Sequence, residues 1–166
     1  LDWYLQAWNS PGLRQALGNS LVVGLGSSLL ATLLGSLAAV AVVRFRFPGR
    51  RLLLAVAALP LVVPSIVLAV ALLAGGAQLN GLLAALVPRG GGAPLRIFSL
   101  WTVGISHVVI ALPMVILIVA ARLVGIPRRL EEAAMDLGCS FWGAQRRVTL
   151  PLARPAILAA FLTAFS

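Results

Sequence analysis

Three long stretches without Asp, Glu, Lys or Arg constrain this chain more than any other feature. They cover residues 15–43, 52–88 and 97–121. Each exceeds the roughly 20 apolar residues that a helix needs to cross a lipid bilayer. Because lipid offers no hydrogen-bond partners, a chain inside it must pair its own backbone N–H and C=O groups, and a helix does so within one segment. The sequence therefore predicts helices that cross a membrane.

We predict an all-α fold, a polytopic transmembrane helical bundle with three full spans at about 19–43, 52–73 and 98–121. A further apolar run covers 155–166, which is about half a span. Hydrophobic residues make up 61% of the chain and charged residues 10%, a balance that water-soluble domains of this size do not show. Since the chain starts at Leu1 rather than Met and its last run is short, we expect an internal piece of a longer protein, with helices missing at both ends.

The basic residues determine the predicted orientation. All 13 are Arg, and ten of them lie in two segments, 44–51 and 122–154, against three elsewhere. By the positive-inside rule, these two segments are cytoplasmic. The Arg residues form neither a basic stripe nor an aromatic platform, so nucleic acid is not expected as a partner. The single Cys139 lacks the companions of a metal site, and no metal or cofactor is predicted in this chain.

Small residues recur at three- and four-residue spacing along the first predicted span. They are Gly24, Ser28, Thr32, Gly35 and Ala39. Such a spacing lets another helix approach closely, which matters in lipid because packing rather than a hydrophobic drive holds helices together. The pattern indicates helix packing within the chain, with a seam between two subunits as the alternative.

Five residues in the second and third spans are candidates for a translocation path. Pro60 and Pro64 lie near the middle of the second span, and Ser106, His107 and Pro113 lie in the third. A proline inside a span frees carbonyl groups, which is tolerated where neighbours or a water-lined cavity satisfy them, and interrupted helices are typical of transport pathways. An ionisable group at that depth is a functional candidate. The alternatives are a structural kink for the prolines and a neutral His107 hydrogen-bonded between helices.

The second span is predicted to end at a pair of glycines. Gly75-Gly76 interrupts the apolar run, and the stretch as far as Gly90-Gly91-Gly92 contains Gln78, Asn80 and Pro88. Glycines and polar residues in this pattern favour a loop. We therefore predict an outer loop that contains one short apolar helix.

Segment 122–154 carries a helical pattern of its own. Apolar residues fall at i, i+3, i+4 and i+7, with charged residues on the remaining surface, as in a short amphipathic helix. The apolar positions are Leu130, Ala133, Ala134 and Leu137, and the charged positions are Arg128, Glu131, Glu132 and Asp136. The sequence therefore predicts a short amphipathic helix in this segment.

Helix-end signals follow this pattern. Gly138 stands where a left-handed cap ends a helix, and Ser140 is a predicted N-cap of a second helix that presents Phe141 and Trp142. Pro151, together with Pro155, is predicted to turn the chain back into the next span. Two helices joined at a glycine and closed by a proline make an elbow that is suited to binding another protein.

The same segment resembles the cytoplasmic signature of the integral-membrane permease subunits of binding-protein-dependent ABC importers. That signature is Glu-Ala-Ala, three residues, Gly, nine residues, an aliphatic residue, one residue and Leu-Pro. Here it reads Glu132-Ala133-Ala134, Gly138, Val148 and Leu150-Pro151, with the same spacing throughout and Val148 in place of the more usual Ile. Agreement over twenty residues between two spans is a specific signal, and the resemblance covers essentially the whole chain.

The resemblance implies a type I ABC importer permease in the bacterial inner (plasma) membrane, with a coupling helix that sits in a groove of a separate ATP-binding subunit. The implied coupling residues are Glu132, Ala133, Ala134, Asp136, Gly138, Ser140, Phe141, Trp142, Leu150 and Pro151. Other implied partners are a second permease subunit, an external solute-binding protein and the membrane lipid. A surface-lying amphipathic helix is the alternative, but it does not account for Gly138 or Leu150-Pro151.

The chain itself is not expected to be an enzyme. It contains no Lys, so a phosphate loop of the Gly-x-x-x-x-Gly-Lys type is impossible, and ATP hydrolysis falls to a partner chain. An intramembrane hydrolase is a weaker alternative, because the adjacent Ser106 and His107 point about 100° apart on a helix. An ion channel is weaker still, because the sequence shows no filter loop or charged ring.

The resemblance is greatest to the polyamine (spermidine and putrescine) branch of these permeases. It rests on 44–51, 59–64 and 130–138. Branches for ferric iron, thiamine, sulfate or phosphonates have similar spans and stay open. No acidic residue lies within the predicted spans, so a cationic solute requires acidic groups from a second permease subunit or from further helices.

Overall fold

The computed structural model describes residues 10–86 and 100–166, and every regular element in these ranges is helical. The helices are α1 (Pro11–Arg44), α2 (Arg50–Val62), α3 (Ser65–Leu86), α4 (Leu100–Val124), α5 (Arg128–Asp136), α6 (Phe141–Ala144) and α7 (Leu150–Phe165), with a π-helical turn at Gln145–Thr149 between the last two. The predicted all-α fold is confirmed. The residues predicted to begin the third span, at 98, and the glycine-rich part of the outer loop lie outside the described ranges.

Three helices of the described ranges are long and apolar enough to cross a membrane. They are Pro11–Arg44, Leu100–Val124 and Phe141–Phe165. α1 packs against α4 along much of its length, and both contact α7. The core between them is built from small and β-branched side chains, including Ala31, Val115, Val119 and Ala160.

The predicted stripe of small residues on α1 forms this packing surface. Ser28, Thr32, Gly35 and Ala39 are all buried. A Cβ atom on Gly35 would lie 2.5 Å from Cγ1 of Val115, so only glycine allows α4 to come this close. Gly24 lies against the ring of Phe165. The interpretation as packing within the chain is confirmed.

The second predicted span is broken into two helices. α2 ends at Val62, Val63 is extended, and α3 begins just after Pro64. The segments Arg50–Val62 and Ile66–Leu79 meet at an angle of 114°. The residue before a proline is driven out of the helical region, because the proline ring clashes with its backbone. The pair therefore forms either one broken span or a re-entrant segment.

Two predicted interruptions of the helices are wrong. α1 begins at Pro11, in agreement with the preference for proline in a first helical turn, and it contains the whole predicted span 19–43. α3 continues through Gly75-Gly76 to Leu86; glycine costs a helix only about 1 kcal/mol relative to alanine, whereas an unpaired backbone in an apolar setting costs more. The expected loop therefore does not begin at the glycine pair.

The second wrong prediction concerns the last helix, which is continuous from Phe141 to Phe165. It does not begin at 155, and Pro151 does not turn the chain. The N–H of Leu150 bonds to the carbonyl of Gln145, five residues earlier. A proline in a helix crowds the carbonyl four residues before it. In the wider turn directly ahead of Pro151, backbone hydrogen bonds span five residues instead of four, and the helix continues through the proline.

Candidate functional site

The turn after α5 has the predicted left-handed glycine. Gly138 has φ +89°, and its N–H donates to the carbonyl of Met135 at 2.9 Å. The N–H of Cys139 reaches back to the carbonyl of Ala134 at 3.0 Å. These two bonds are the pair that defines a Schellman cap, which satisfies carbonyls that a helix end leaves unpaired.

Ser140 starts the following helix as predicted. Its hydroxyl accepts a hydrogen bond from the N–H of Gly143 at 3.2 Å. The next residue, Phe141, packs edge-to-face on Phe45, with ring centroids 5.4 Å apart. Trp142 contacts Phe141 and is 70% exposed. Phe141 thus attaches the helix to the chain beyond α1, and Trp142 projects from it.

One acid of α5 is buried, although its apolar stripe is largely exposed. Glu131 is only 5% exposed, whereas Leu137 of the apolar stripe is 87% exposed and Leu130 is exposed as well. Glu132 and Asp136 are exposed. The outward face of α5 is therefore partly apolar, and an acidic residue faces the membrane helices.

Glu131 lies in a buried polar cluster that the sequence analysis missed. Nη2 of Arg44 lies 2.7 Å from Oε1 of Glu131, and the same oxygen accepts a hydrogen bond from Oγ1 of Thr149 at 2.6 Å. Arg44 Nη2 also donates to the carbonyl of Ile126 at 3.3 Å. We call these residues the Arg44–Glu131–Thr149 cluster. A buried charge is tolerated only when it is paired and hydrogen-bonded, and both conditions hold for Glu131.

A second basic residue binds the end of α1. Arg128 donates through Nη2 to the carbonyls of Val43 at 2.9 Å and Arg44 at 3.2 Å. A cation at a helix C-terminus interacts favourably with unpaired carbonyls and the helix dipole. Arg122 makes a similar contact with α7, since its Nε donates to the carbonyl of Leu152 at 3.1 Å. Arg residues that the sequence analysis used only for orientation thus connect the helices.

The predicted coupling residues fall into two groups. Glu132, Ala133, Asp136, Gly138 and Trp142 lie on the exposed side of the α5 and α6 region, and Ala134 is half-buried. Leu150 and Pro151 are also exposed but belong to the continuous helix Phe141–Phe165. Apart from Ala134, the first group is exposed in the region of α5 and α6, whereas the second group lies along a long helix.

The five translocation candidates are not gathered at one cavity. Pro60 is half-buried in α2, Pro64 is exposed at the break before α3, and Pro113 is buried in α4. A groove of about 460 Å³ between α1 and α4 is lined by other residues, among them Val22, Leu30, Trp101 and Ile105. The five positions remain a prediction.

The two polar candidates of α4 both form hydrogen bonds with backbone carbonyls. Nε2 of His107 lies 2.7 Å from the carbonyl oxygen of Ala164 in α7, which is the inter-helix bond considered as an alternative. Oγ of Ser106 donates to the carbonyl of Thr102 in its own helix at 2.9 Å. Within residues 10–86 and 100–166, no group of three or more His, Cys, Asp or Glu residues is placed to hold a metal ion.

Comparison with known proteins agrees with the resemblance. Residues 31–166 match the family model described as the binding-protein-dependent transport system inner membrane component. The chain is 36% identical over 168 residues to the spermidine/putrescine transport system permease protein PotC of Escherichia coli, a match that covers 99% of this chain and 56% of that protein.

Two further relatives differ in the solute that their names give. The chain is 32% identical to the putrescine transport system permease protein PotI of Escherichia coli over 99% of this chain and 56% of that protein. It is 34% identical to the trehalose transport system permease protein SugB of Mycobacterium tuberculosis over 99% of this chain and 54% of that protein. The chain thus spans about half the length of the curated relatives it matches.

The match over most of the chain shows the family. This chain belongs to the binding-protein-dependent transport system inner membrane components, and its apolar helices fit a multi-pass protein of the inner membrane.

Proposed function

We propose that this chain, as a member of the inner membrane components of binding-protein-dependent transport systems, is the permease part of an ATP-driven solute importer, and that its segment 122–154 docks a separate ATPase subunit. The observation that carries the proposal is the exposed surface of α5, the turn after it and α6. Leu137 in the turn and Trp142 in α6 are 87% and 70% exposed, and the acids Glu132 and Asp136 of α5 are exposed as well. Large apolar side chains next to charges are typical of protein-binding surfaces.

The position of this surface supports docking to a soluble partner. α5 lies at the end of the bundle where α1 finishes and where ten Arg residues flank the spans, the side that the positive-inside rule makes cytoplasmic. The exposed Glu132 and Asp136 make a lipid environment unsuitable for this helix. A groove with basic residues on an ATP-binding subunit complements both the acids and the apolar side chains.

The test is recovery of the ATPase subunit with the intact permease from membranes. Leu137→Asp removes an exposed apolar anchor and Glu132→Lys reverses an acid, and each should weaken docking by about 2 kcal/mol, roughly thirtyfold in affinity. Arg51→Gln is the control, since this residue is exposed, lies on the same side and gives the same charge change as Leu137→Asp. Equal recovery of the ATPase with all four proteins would contradict the proposal.

We further propose that the importer works with an external solute-binding protein and a second permease subunit, and that its solute is a polyamine. The names of the relatives support a polyamine more often than a sugar, although the identity to the trehalose permease is similar. The spans described here contain no acidic residue, so the proposal assigns the groups that bind a cation to other parts of the importer.

The solute is tested with the solute-binding protein of the same system. Its binding of spermidine, putrescine, trehalose, ferric iron, thiamine, sulfate and a phosphonate is measured by calorimetry. A polyamine as the tightest ligand supports the assignment. If another ligand of this panel binds most tightly, the polyamine is rejected. The proposal that the chain is a permease is then judged by the docking experiment alone.

A further inference from the structure

The region around α5 holds two independent attachments to the end of α1. One is the ion pair between Arg44, the last residue of α1, and the buried Glu131 of α5. The other is the pair of hydrogen bonds from Arg128, the first residue of α5, to the carbonyls of Val43 and Arg44. α5 is thus attached through both its first residue and its buried face.

The cluster also reaches the last membrane helix. Thr149 ends the π-helical turn that joins α6 to α7, and its hydroxyl donates to the same Glu131 oxygen that pairs with Arg44. One carboxylate oxygen therefore accepts from two elements, α1 and the helix Phe141–Phe165. Since Arg44 Nη2 also donates to the carbonyl of Ile126, just after α4, the three long helices meet around Glu131.

We propose that Glu131 is a positioning residue, through which the Arg44–Glu131–Thr149 cluster makes α5 and the end of α1 move as one body. This inference rests on the proposed function, in which segment 122–154 docks the ATPase, and it adds that the docked ATPase moves α5. The physical reason is that the buried carboxylate of Glu131 is paired with Arg44 and hydrogen-bonded to Thr149. Separation from these partners would leave its charge buried and unpaired, which costs free energy. Motion of α5 is therefore transmitted to α1 directly, as well as along the chain to α4.

Two exposed positions allow this to be measured without knowledge of the solute. Arg46 lies just beyond α1, and Arg129 lies on α5 next to Arg128; both are exposed. Spin labels are placed on Arg46→Cys and Arg129→Cys in the intact protein, with Cys139 replaced by alanine, after reconstitution into membranes with the ATPase subunit. The distance distribution is recorded without nucleotide and after trapping with ATP and vanadate.

In the otherwise unaltered protein, we expect a narrow distribution that is the same in both states. Glu131→Gln keeps the side-chain size but removes the charge, so we expect a broader distribution and a shift of at least about 2 Å on trapping, the scale of helix movements at interfaces. Glu132→Gln is the matched control for the nucleotide-free state alone, because Glu132 is adjacent and exposed but belongs to the proposed docking surface. It should keep the narrow nucleotide-free distribution.

Two results would overturn the inference. One is a shift of the distance distribution on trapping in the protein that retains Glu131. The other is a Glu131→Gln distribution with the same width and position as that of the protein that retains Glu131. If the ATPase is not recovered at all, the proposed function fails. The widths of the distance distributions without nucleotide, compared between Glu131→Gln and the protein that retains Glu131, still decide whether the cluster holds α5 to α1. If Glu131→Gln does not accumulate, Thr149→Val replaces it. That variant retains the ion pair and loses one hydrogen bond, so a smaller broadening in the same direction is expected, and an unchanged width counts against the proposal.

Discussion

Arg44 and Glu131, which are 87 positions apart in the sequence, form an ion pair of 2.7 Å with 4% and 7% of their side chains exposed. The pair joins the last residue of a long membrane helix to the short helix that carries the family signature. Because both side chains are buried, replacement of one partner should change the free energy of unfolding by a different amount from replacement of both.

The first prediction concerns this difference. Arg44→Met alone leaves the Glu131 charge buried with only the Thr149 hydroxyl, and we expect a loss of about 3–5 kcal/mol in the free energy of unfolding. The double variant Arg44→Met, Glu131→Leu should recover most of this loss, since apolar pairs often replace buried ion pairs at no net cost. Unfolding of the unaltered protein, Arg44→Met, Glu131→Leu and the double variant in detergent, followed by circular dichroism, checks it. Additive losses in the double variant would show that the two residues do not act as a pair.

Gly35 provides the second prediction. Alanine at this position brings a methyl group to 2.5 Å from Cγ1 and 2.8 Å from Cβ of Val115, so α1 and α4 must separate, at a cost of about 1–3 kcal/mol. Gly26 in the same helix has no atom within 4 Å of such a methyl group, and Gly26→Ala should not lower stability. Thermal unfolding compares the two variants. Gly35→Ala that is as stable as Gly26→Ala would show that the close approach to Val115 does not limit this position.

The third prediction tests the turn after α5. Gly138 has φ +89° and open space around its Cα, so a substitution there is limited by backbone strain alone. Gly138→Val should lose about 1–2 kcal/mol and lower the amount of solute imported per ATP, whereas Gly138→Asn should be much milder because asparagine tolerates this conformation. Transport and ATP hydrolysis are measured together in vesicles. Equal behaviour of valine and asparagine would exclude a requirement for the left-handed conformation.

The fourth prediction separates the two roles considered for His107. Nε2 of His107 in α4 lies 2.7 Å from the carbonyl oxygen of Ala164 in α7, so this contact joins two helices. His107→Leu removes this bond and should lower the free energy of unfolding by about 1 kcal/mol. Ser106→Ala, which affects only a bond within α4, should have little effect. Full stability of His107→Leu with a loss of transport would instead favour a place in the translocation path.

Local signals in the sequence were sufficient for the helix caps. Gly138 and Ser140 could be predicted because their roles depend on residues within five positions, where backbone geometry allows few solutions. The small residues of α1 were equally informative, because close helix packing leaves few alternatives at Gly35. From these local signals, the helical fold and most of the turn after α5 could therefore be predicted.

The orientation of α5 could not be predicted in the same way. The pattern of Leu130 and Leu137 marks an apolar face, and such faces normally pack on the chain's own core; here that face points outward, and Glu131 points inward. Glu131 and Glu132 are adjacent and identical in type, so only the position of Arg44 in space determines which of the two is buried. Pro151 was misleading for a related reason, since the π-helical turn that accommodates it has no sequence signature of its own.

The unbroken helix from Phe141 to Phe165 has a mechanical consequence. With a rise of about 1.5 Å per residue, roughly 33 Å separates Trp142 from Ala164 along its axis. If the end bound by His107 stays in place, a tilt of about 10° displaces Trp142 by roughly 6 Å. A small tilt of this helix about the end where His107 binds the Ala164 carbonyl and where Ala160 and Ala164 pack in the core thus becomes a larger displacement of the exposed Trp142.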